Sequence, residues 1–216
     1  MTTFAIFAYD NVEPIDIGAT YGVLSMAKRV VPELDFYVLS HAGGEITMAN
    51  GLRLLSDQSF ADYERADVMM VLGGPGWTDV CQHEPTLSFL QQVKATETVI
   101  ASVCTGGMIL EAAGLLDGLQ ATTKVQVFDG ETPPLELLSE RLGPDNVTEA
   151  RVIDCGQVVS GGGVSLGIDM TLYLIGRFLG AEVASNTARV LEYSAAWQAN
   201  GARLQDIKAT PADPSL

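Results

Sequence analysis

The chain has 216 residues, 47% hydrophobic and 18% charged, with 12 Lys plus Arg against 27 Asp plus Glu for a formal net charge of -15. A length of this order suits one domain, and about 70% of its surface can be buried, so the composition excludes disorder and needs no disulfide or metal staple. The acidic balance, with no cluster of Lys and Arg, argues against nucleic acid as a partner, because nothing is present to displace counterions from phosphates.

The apolar runs are short, β-branched and separated by amphipathic stretches, which predicts alternating strands and helices. Residues 3–8 read as a first strand, 18–29 as a helix with Val23, Leu24 and Ala27 on one face, and 35–40 as a second strand. Gly43-Gly44 and Asn50-Gly51 bracket a hairpin of 45–47 against 52–55, since Asn and Gly tolerate the positive φ of tight turns. After a polar connector at 59–66, the uninterrupted apolar run 68–72 is a strand buried on both faces, ending at Gly73-Gly74-Pro75-Gly76. Residues 86–96 form a helix and 99–103 another apolar strand; the helix 108–113 follows with no room for an ordinary loop. A helix at 133–142, strands at 151–154 and 158–160, and closing helices at 168–179 and 181–191 complete the domain, 1–195. Residues 196–216 turn polar and proline-bearing and read as a C-terminal surface tail.

Cys81, Cys104 and Cys155 are an odd set without a C-x-x-C, which fits thiols in a reducing cytoplasm rather than disulfides or a zinc site. Only Met-Thr precedes the first apolar run, and no apolar stretch reaches the ~18 residues of a membrane span, so neither a secretory leader nor a membrane partner is expected. The Asn146-Val147-Thr148 sequon is then without consequence.

Cys104 stands where a buried strand turns directly into a helix, the arrangement of a nucleophile elbow with a thiol in place of a hydroxyl. Gly106 and Gly107 remove side chains where backbone must approach closely, and the helix N-terminus favours thiolate. A small buried core cysteine is the plainer alternative. Neither His41 nor His83 adjoins the elbow, and Thr105 follows the cysteine, so a Cys-His hydrolase is disfavoured. His83 reads as solvated, Cys81 and Cys155 as structural.

Asp16 lies between the first strand and first helix, where an N-cap is the ordinary role; Glu13 nearby reads as a surface charge. In a parallel sheet, though, loops at the carboxyl ends of strands converge, so Asp16, Gly74 and Cys104 would reach one crevice. The glycine runs 73–76 and 161–163 fit no nucleotide-binding pattern and read better as backbone donors around the thiol, an oxyanion-hole role. Trp77 either walls that pocket or serves packing or a dimer contact.

Four motifs in order, Ile15-Asp16-Ile17-Gly18, Gly73-Gly74-Pro75-Gly76, Ala101-Ser102-Val103-Cys104-Thr105-Gly106 and Gly161-Gly162-Gly163 with Gly167-Ile168-Asp169, resemble the DJ-1/PfpI superfamily. Within it the chain looks most like the isonitrile (isocyanide) hydratases, from about Phe4 to Tyr193. The resemblance implies an α/β, flavodoxin-like three-layer sandwich with a mostly parallel sheet, akin to class I glutamine amidotransferases, and a homodimer. It implies a cofactor-free, metal-free enzyme acting on a small molecule, with Cys104, Asp16 beside it and Thr105 as catalytic residues. Gly73, Gly74, Gly106 and Trp77 would line the substrate and oxyanion site. Two other functions stay open: a glyoxalase or deglycase acting through Cys104, and a non-enzymatic ligand or redox sensor. Where many relatives have histidine after the Ala-Thr-Thr run this chain has Lys124, a departure that bears on substrate range or pocket polarity.

Overall fold

A computed structural model describes residues 1–209. Its frame is an eight-stranded sheet built from β1 (Thr3–Phe7), β2 (Asp35–Ser40), β5 (Gln58–Ser59), β6 (Val68–Val71), β7 (Val99–Ser102), β8 (Val152–Asp154), β9 (Val158–Gly161) and β10 (Asp206–Lys208). The strand order is β10-β8-β9-β7-β6-β1-β2-β5, and every neighbouring pair is parallel except β8 with β9. β3 (Gly44–Thr47) and β4 (Arg53–Ser56) form the separate antiparallel hairpin expected at those glycines.

Strands β6 and β7 are buried along their whole length, and β1 nearly so, which is why they read as unbroken apolar runs rather than alternating ones. Two helical groups cover the sheet. One contains α1 (Pro14–Ile17), a π turn at Gly18–Gly22, α2 (Val23–Ala27), α7 (Leu166–Leu179) and α8 (Ala181–Val190). The other contains α3 (Trp77–Val80), α4 (Glu84–Lys94), α5 (Gly106–Ala112) and α6 (Pro134–Leu142). The chain runs outward from β1 to β2 on one side and from β6 to β7 to β9 on the other. A crevice therefore opens at the carboxyl ends of β1 and β6, where a doubly wound sheet reverses direction.

Two departures from the sequence reading matter. The first helix starts at Pro14, not near Gly18, because proline at the first helical position carries a preset φ and lacks only an N–H that would be unpaired anyway. Residues beyond 195 are not a plain tail: α9 (Ser194–Arg203) follows, and β10 pairs in parallel with β8 at the sheet edge. Residues 210–216 lie outside the described residues.

A polar clamp holds that segment. Arg151 donates from Nε to Asp206 Oδ1 at 2.7 Å, and from Nη1 to Asp169 Oδ1 at 3.3 Å and to the Trp197 carbonyl at 3.1 Å. Asp169, fully buried on α7, also accepts from Tyr193 at 2.9 Å and Asn200 at 3.0 Å. Breaking one side of a largely buried pair leaves a charge without compensation, so Arg151→Met is expected to cost on the order of 3 kcal/mol in chemical denaturation. It should also strip hydrogen-exchange protection from the segment 194–208; protection at the wild-type level would mean the clamp does not hold it.

Candidate active site

Cys104 sits between β7 and α5 with φ at +56°, a left-handed backbone that a non-glycine residue adopts only under constraint. Its N–H donates to the Gly162 carbonyl at 3.1 Å, and its own carbonyl accepts from Thr123 Oγ1 at 2.6 Å and from the Gly107 amide at 3.3 Å. Three elements therefore fix one strained residue. Gly106 makes the approach possible: a Cβ there would stand 2.1 Å from the Val71 carbonyl oxygen. The residue is 3% exposed.

Asp16 lies within α1, so the N-cap role does not apply; the cap position belongs to Glu13. The side chain points into the protein with no exposed surface, and Oδ2 accepts the Gly73 amide at 2.9 Å. Oδ1 is buried without a hydrogen-bond partner. The Cys104 thiol lies close enough to favour the ionised carboxylate. The π turn that follows Asp16 is tied at two carbonyls: Thr20 Oγ1 donates to the Asp16 carbonyl at 2.8 Å and Thr171 Oγ1 to that of Ala19 at 3.0 Å.

Burial dominates the electrostatics. It raises the Asp16 carboxyl to about 7; the Gly73 amide opposes it, the Glu13 charge adds to it, and Cys104 and Lys124 pull downward. Burial also pushes the Cys104 thiol up to about 12, reinforced by the Asp16 charge and opposed by the Val164 and Thr105 amides and by Lys124. The thiolate expected from the helix N-terminus is thus not the resting state. A seven-residue helix end cannot offset removal from water beside a carboxylate. At neutral pH the pair consists of a protonated thiol and a carboxyl poised to exchange its proton.

Gly73, Gly74, Cys104, Thr105, Gly106 and Asp16 all come together, as the convergence of loops requires, but the donors are not those expected. The Gly73 amide is taken by Asp16, the Gly74 amide by Thr105 Oγ1 at 2.9 Å, and the Gly106 amide by the Val103 carbonyl at 2.9 Å. Val164 and Thr105 present their amides to sulfur instead. Val164, itself at φ +54°, was not singled out in the sequence; the adjoining Gly161-Gly162-Gly163 run was the signal for it. The Thr105 hydroxyl pins the 73–76 loop rather than touching the thiol.

Trp77, the first residue of α3, is half-buried against the core margin. It lines neither of two cavities near the sheet's carboxyl edge. The larger, about 370 Å³, includes Tyr9, Asp10, His41, Asp79 and His83 but neither Cys104 nor Asp16. His83 is half-buried, bonded to Thr86 Oγ1 at 2.8 Å and packed edge-on to His41. The smaller, about 190 Å³, is lined by Thr123, Lys124, Glu149, Gly162, Val164 and Arg203 among others, so it abuts three residues that bond Cys104. Cys81 and Cys155 are partly or fully buried and donate to the Met108 and Gln120 carbonyls. Among the described residues no three His, Cys, Asp or Glu side chains group as metal donors. None of their helices is long and apolar enough to cross a membrane.

Comparison with known proteins agrees with this architecture. The DJ-1/PfpI family profile matches residues 2–177. The isonitrile hydratase of Pseudomonas putida is 32% identical over 188 residues, 87% of this chain and 77% of that protein. The HTH-type transcriptional regulator GbdR of Pseudomonas aeruginosa is 28% identical over 188 residues, 85% of this chain but 48% of the regulator, so the chain spans about half of that relative. Among solved structures, oxidized DJ-1 of Toxoplasma gondii superposes with a TM-score of 0.75 at 21% identity, over 90% of this chain and 100% of that one. Matched in its motifs, its sheet and most of its length, the chain belongs to the DJ-1/PfpI family.

Proposed function

We propose that this protein is a cofactor-free isonitrile hydratase, adding water to an organic isocyanide to give an N-substituted formamide. The observation that carries the reading is a buried acid-base pair: a carboxyl raised to about 7 beside a thiol that keeps its proton. The Pseudomonas putida hydratase, 32% identical, supports the same reaction class.

The chemistry needs a proton at the carbon that the nucleophile attacks. The Asp16 carboxylate takes the Cys104 thiol proton as sulfur bonds to the terminal isocyanide carbon. The carboxylic acid so formed delivers that proton to the same carbon, giving the thioimidate R–N=CH–S–Cys104. Asp16 then removes a proton from water as oxygen adds to the imidate carbon, and hands that proton to the nitrogen. The C–S bond breaks as the adduct's hydroxyl becomes the formyl carbonyl, its proton passes through Asp16 to sulfur, and R–NH–CHO leaves. The Val164 and Thr105 amides stabilise negative charge on sulfur during attack and departure. Thr105 holds the 73–76 loop over the pair, and burial keeps bulk water from competing for the proton.

The half-length match to a transcriptional regulator favours one other reading, a ligand or redox sensor without turnover. The deciding assay follows loss of para-substituted phenyl isocyanide and appearance of the formamide. Consumption of methylglyoxal instead would indicate a glyoxalase, and inertness toward both would leave the sensor.

We also propose a homodimer, working in a reducing cytoplasm suited to three free thiols. Ile15, Tyr21, Leu52 and Leu55 are exposed apolar side chains, the kind of surface that a two-fold contact covers. Sedimentation at micromolar concentration should give about twice the chain mass; a clean monomer would remove the claim.

Cys104→Ala should abolish turnover, and Asp16→Asn, which keeps shape but cannot cycle a proton, should lose at least ~10²-fold in rate. The kcat/KM for the isocyanide should rise through about pH 7 as Asp16 ionises and then level off, and the step should vanish in Asp16→Asn. A profile flat between pH 5 and 9 in the wild type would overturn the assignment of Asp16.

Stability should move the opposite way to activity. The folded carboxyl keeps its proton up to about pH 7, whereas the unfolded one loses it near pH 4. The stability tied to that proton is thus full below pH 4 and lost by the time pH passes 7. Asp16→Asn is neutral throughout and should melt higher than the wild type above pH 7, by up to about 4 kcal/mol, with the gain shrinking toward pH 4.

A further inference from the structure

We infer that the small cavity beside Cys104 receives an anionic group of the substrate through Lys124 and Arg203, so that isocyanides bearing a carboxylate are preferred to neutral ones. This rests on the hydratase reading for the identity of the reacting group, and on the cavity itself for the anion.

Continuity comes first. The cavity wall includes Thr123, whose hydroxyl bonds the Cys104 carbonyl, Gly162, whose carbonyl takes the Cys104 N–H, and Val164, whose amide faces sulfur. Cys104 and Asp16 do not line the cavity themselves; Val164, whose amide faces sulfur, is the wall residue that joins it to the thiol, and the proposed substrate reaches from one to the other past it.

Charge comes second. A chain of net charge -15 repels anions at long range, so an anionic substrate is accommodated only where the local sign is reversed. Lys124 and Arg203 both line the cavity, and neither forms an ion pair among the described residues. Glu149 is the one carboxylate in the wall, leaving an excess of one positive charge. The Lys124 ammonium donates to the Gln126 carbonyl, which leaves two of its three N–H bonds for a ligand.

Placement comes third. The Lys124 stem lies against Gly163, where a Cβ would stand 2.7 Å from Lys124 Cγ and 2.8 Å from its Cβ. Gly163 thus leaves the space that the lysine stem occupies, and the third glycine of the 161–163 run acquires a role distinct from lining the thiol. The Lys124 backbone is tied as well, its carbonyl accepting the Leu135 amide at 3.0 Å. Residues Thr122 and Thr123 just before it are fully buried, so the chain enters the cavity wall from a fixed point.

The test compares 4-isocyanobenzoate with its neutral methyl ester. Wild type should favour the carboxylate in kcat/KM by at least about 10-fold, the scale of one charge-assisted hydrogen bond, and added salt should shrink the ratio. Lys124→Met combined with Arg203→Gln should bring the ratio to near one, whereas Lys124→Arg should retain most of it. In parallel, calorimetry on Cys104→Ala should find 4-formamidobenzoate bound at least about 10-fold tighter than the methyl ester of that acid, with the difference lost when Lys124→Met is added. A ratio near or below one with the ester well turned over overturns the anion site and leaves the hydratase standing. No turnover of either compound, with the carboxylate still bound preferentially, overturns the hydratase and keeps the site. No turnover and no preferential binding overturns both.

Discussion

Asp16 is held with no exposed surface, one amide donor on Oδ2 and no partner on Oδ1, and the electrostatics of the site depend on that burial. An ionised carboxylate in that position is costly, which is why its proton affinity rises until neutral pH. The Gly73 amide supplies enough stabilisation to keep ionisation within reach, and Glu13 and Cys104 set the balance from either side. Were the carboxyl solvated it would be a permanent anion and could not return a proton in the reaction proposed for it. With no amide donor it would be a permanent acid and could not take one. Its usefulness lies in being held between these limits.

The geometry that produces this balance is carried by backbone more than by side chains. Pro14 starts the helix early enough to carry Asp16 into the crevice, and the π turn after it adds a residue where Thr20 and Thr171 can bond local carbonyls. On the facing side, Cys104 keeps its strained φ because Gly162, Thr123 and Gly107 bond its backbone from separate elements. Strain of this kind costs of order 1–3 kcal/mol and persists only where neighbours over-determine the residue. The extensive buried core, which includes all of β6 and β7, offsets that cost, consistent with a stable scaffold carrying a locally unfavourable site.

Strands were readable because burial writes itself into composition: runs at 68–72 and 99–103 are apolar on both faces and match β6 and β7 to within a residue or two. The elbow was readable because only Val103, Cys104 and Thr105 separate the strand from the helix, too few for an ordinary loop. Asp16 was placed near the thiol, but outside the helix, since propensity gives little weight to a helix opening Glu-Pro-Ile-Asp before a glycine. Free donors were assigned to the wrong glycines because a sequence reveals which amides are unencumbered by side chains, not which are already bonded. The last helix was missed for a related reason. None of its residues is buried, and the segment is fastened by Arg151, Asp169 and Asn200, polar contacts that leave no hydrophobic period to detect.

The state of the thiol bears on whether the site turns over a substrate or reports on its surroundings. A redox-sensing cysteine reacts through thiolate, and its reactivity grows with the thiolate fraction and with access to solvent. Cys104 has little of either: it is 3% exposed, and burial together with the Asp16 charge keeps its proton in place at neutral pH. A peroxide would meet a weak nucleophile. An isocyanide presents a different demand, because its carbon must gain both a sulfur and a hydrogen. A protonated thiol beside a carboxylate holds both, and the proton released by one atom is the proton required by the other. Burial and the neighbouring carboxylate, which hold the thiol proton in place, fit the proposed reaction, in which sulfur and proton are delivered to one carbon.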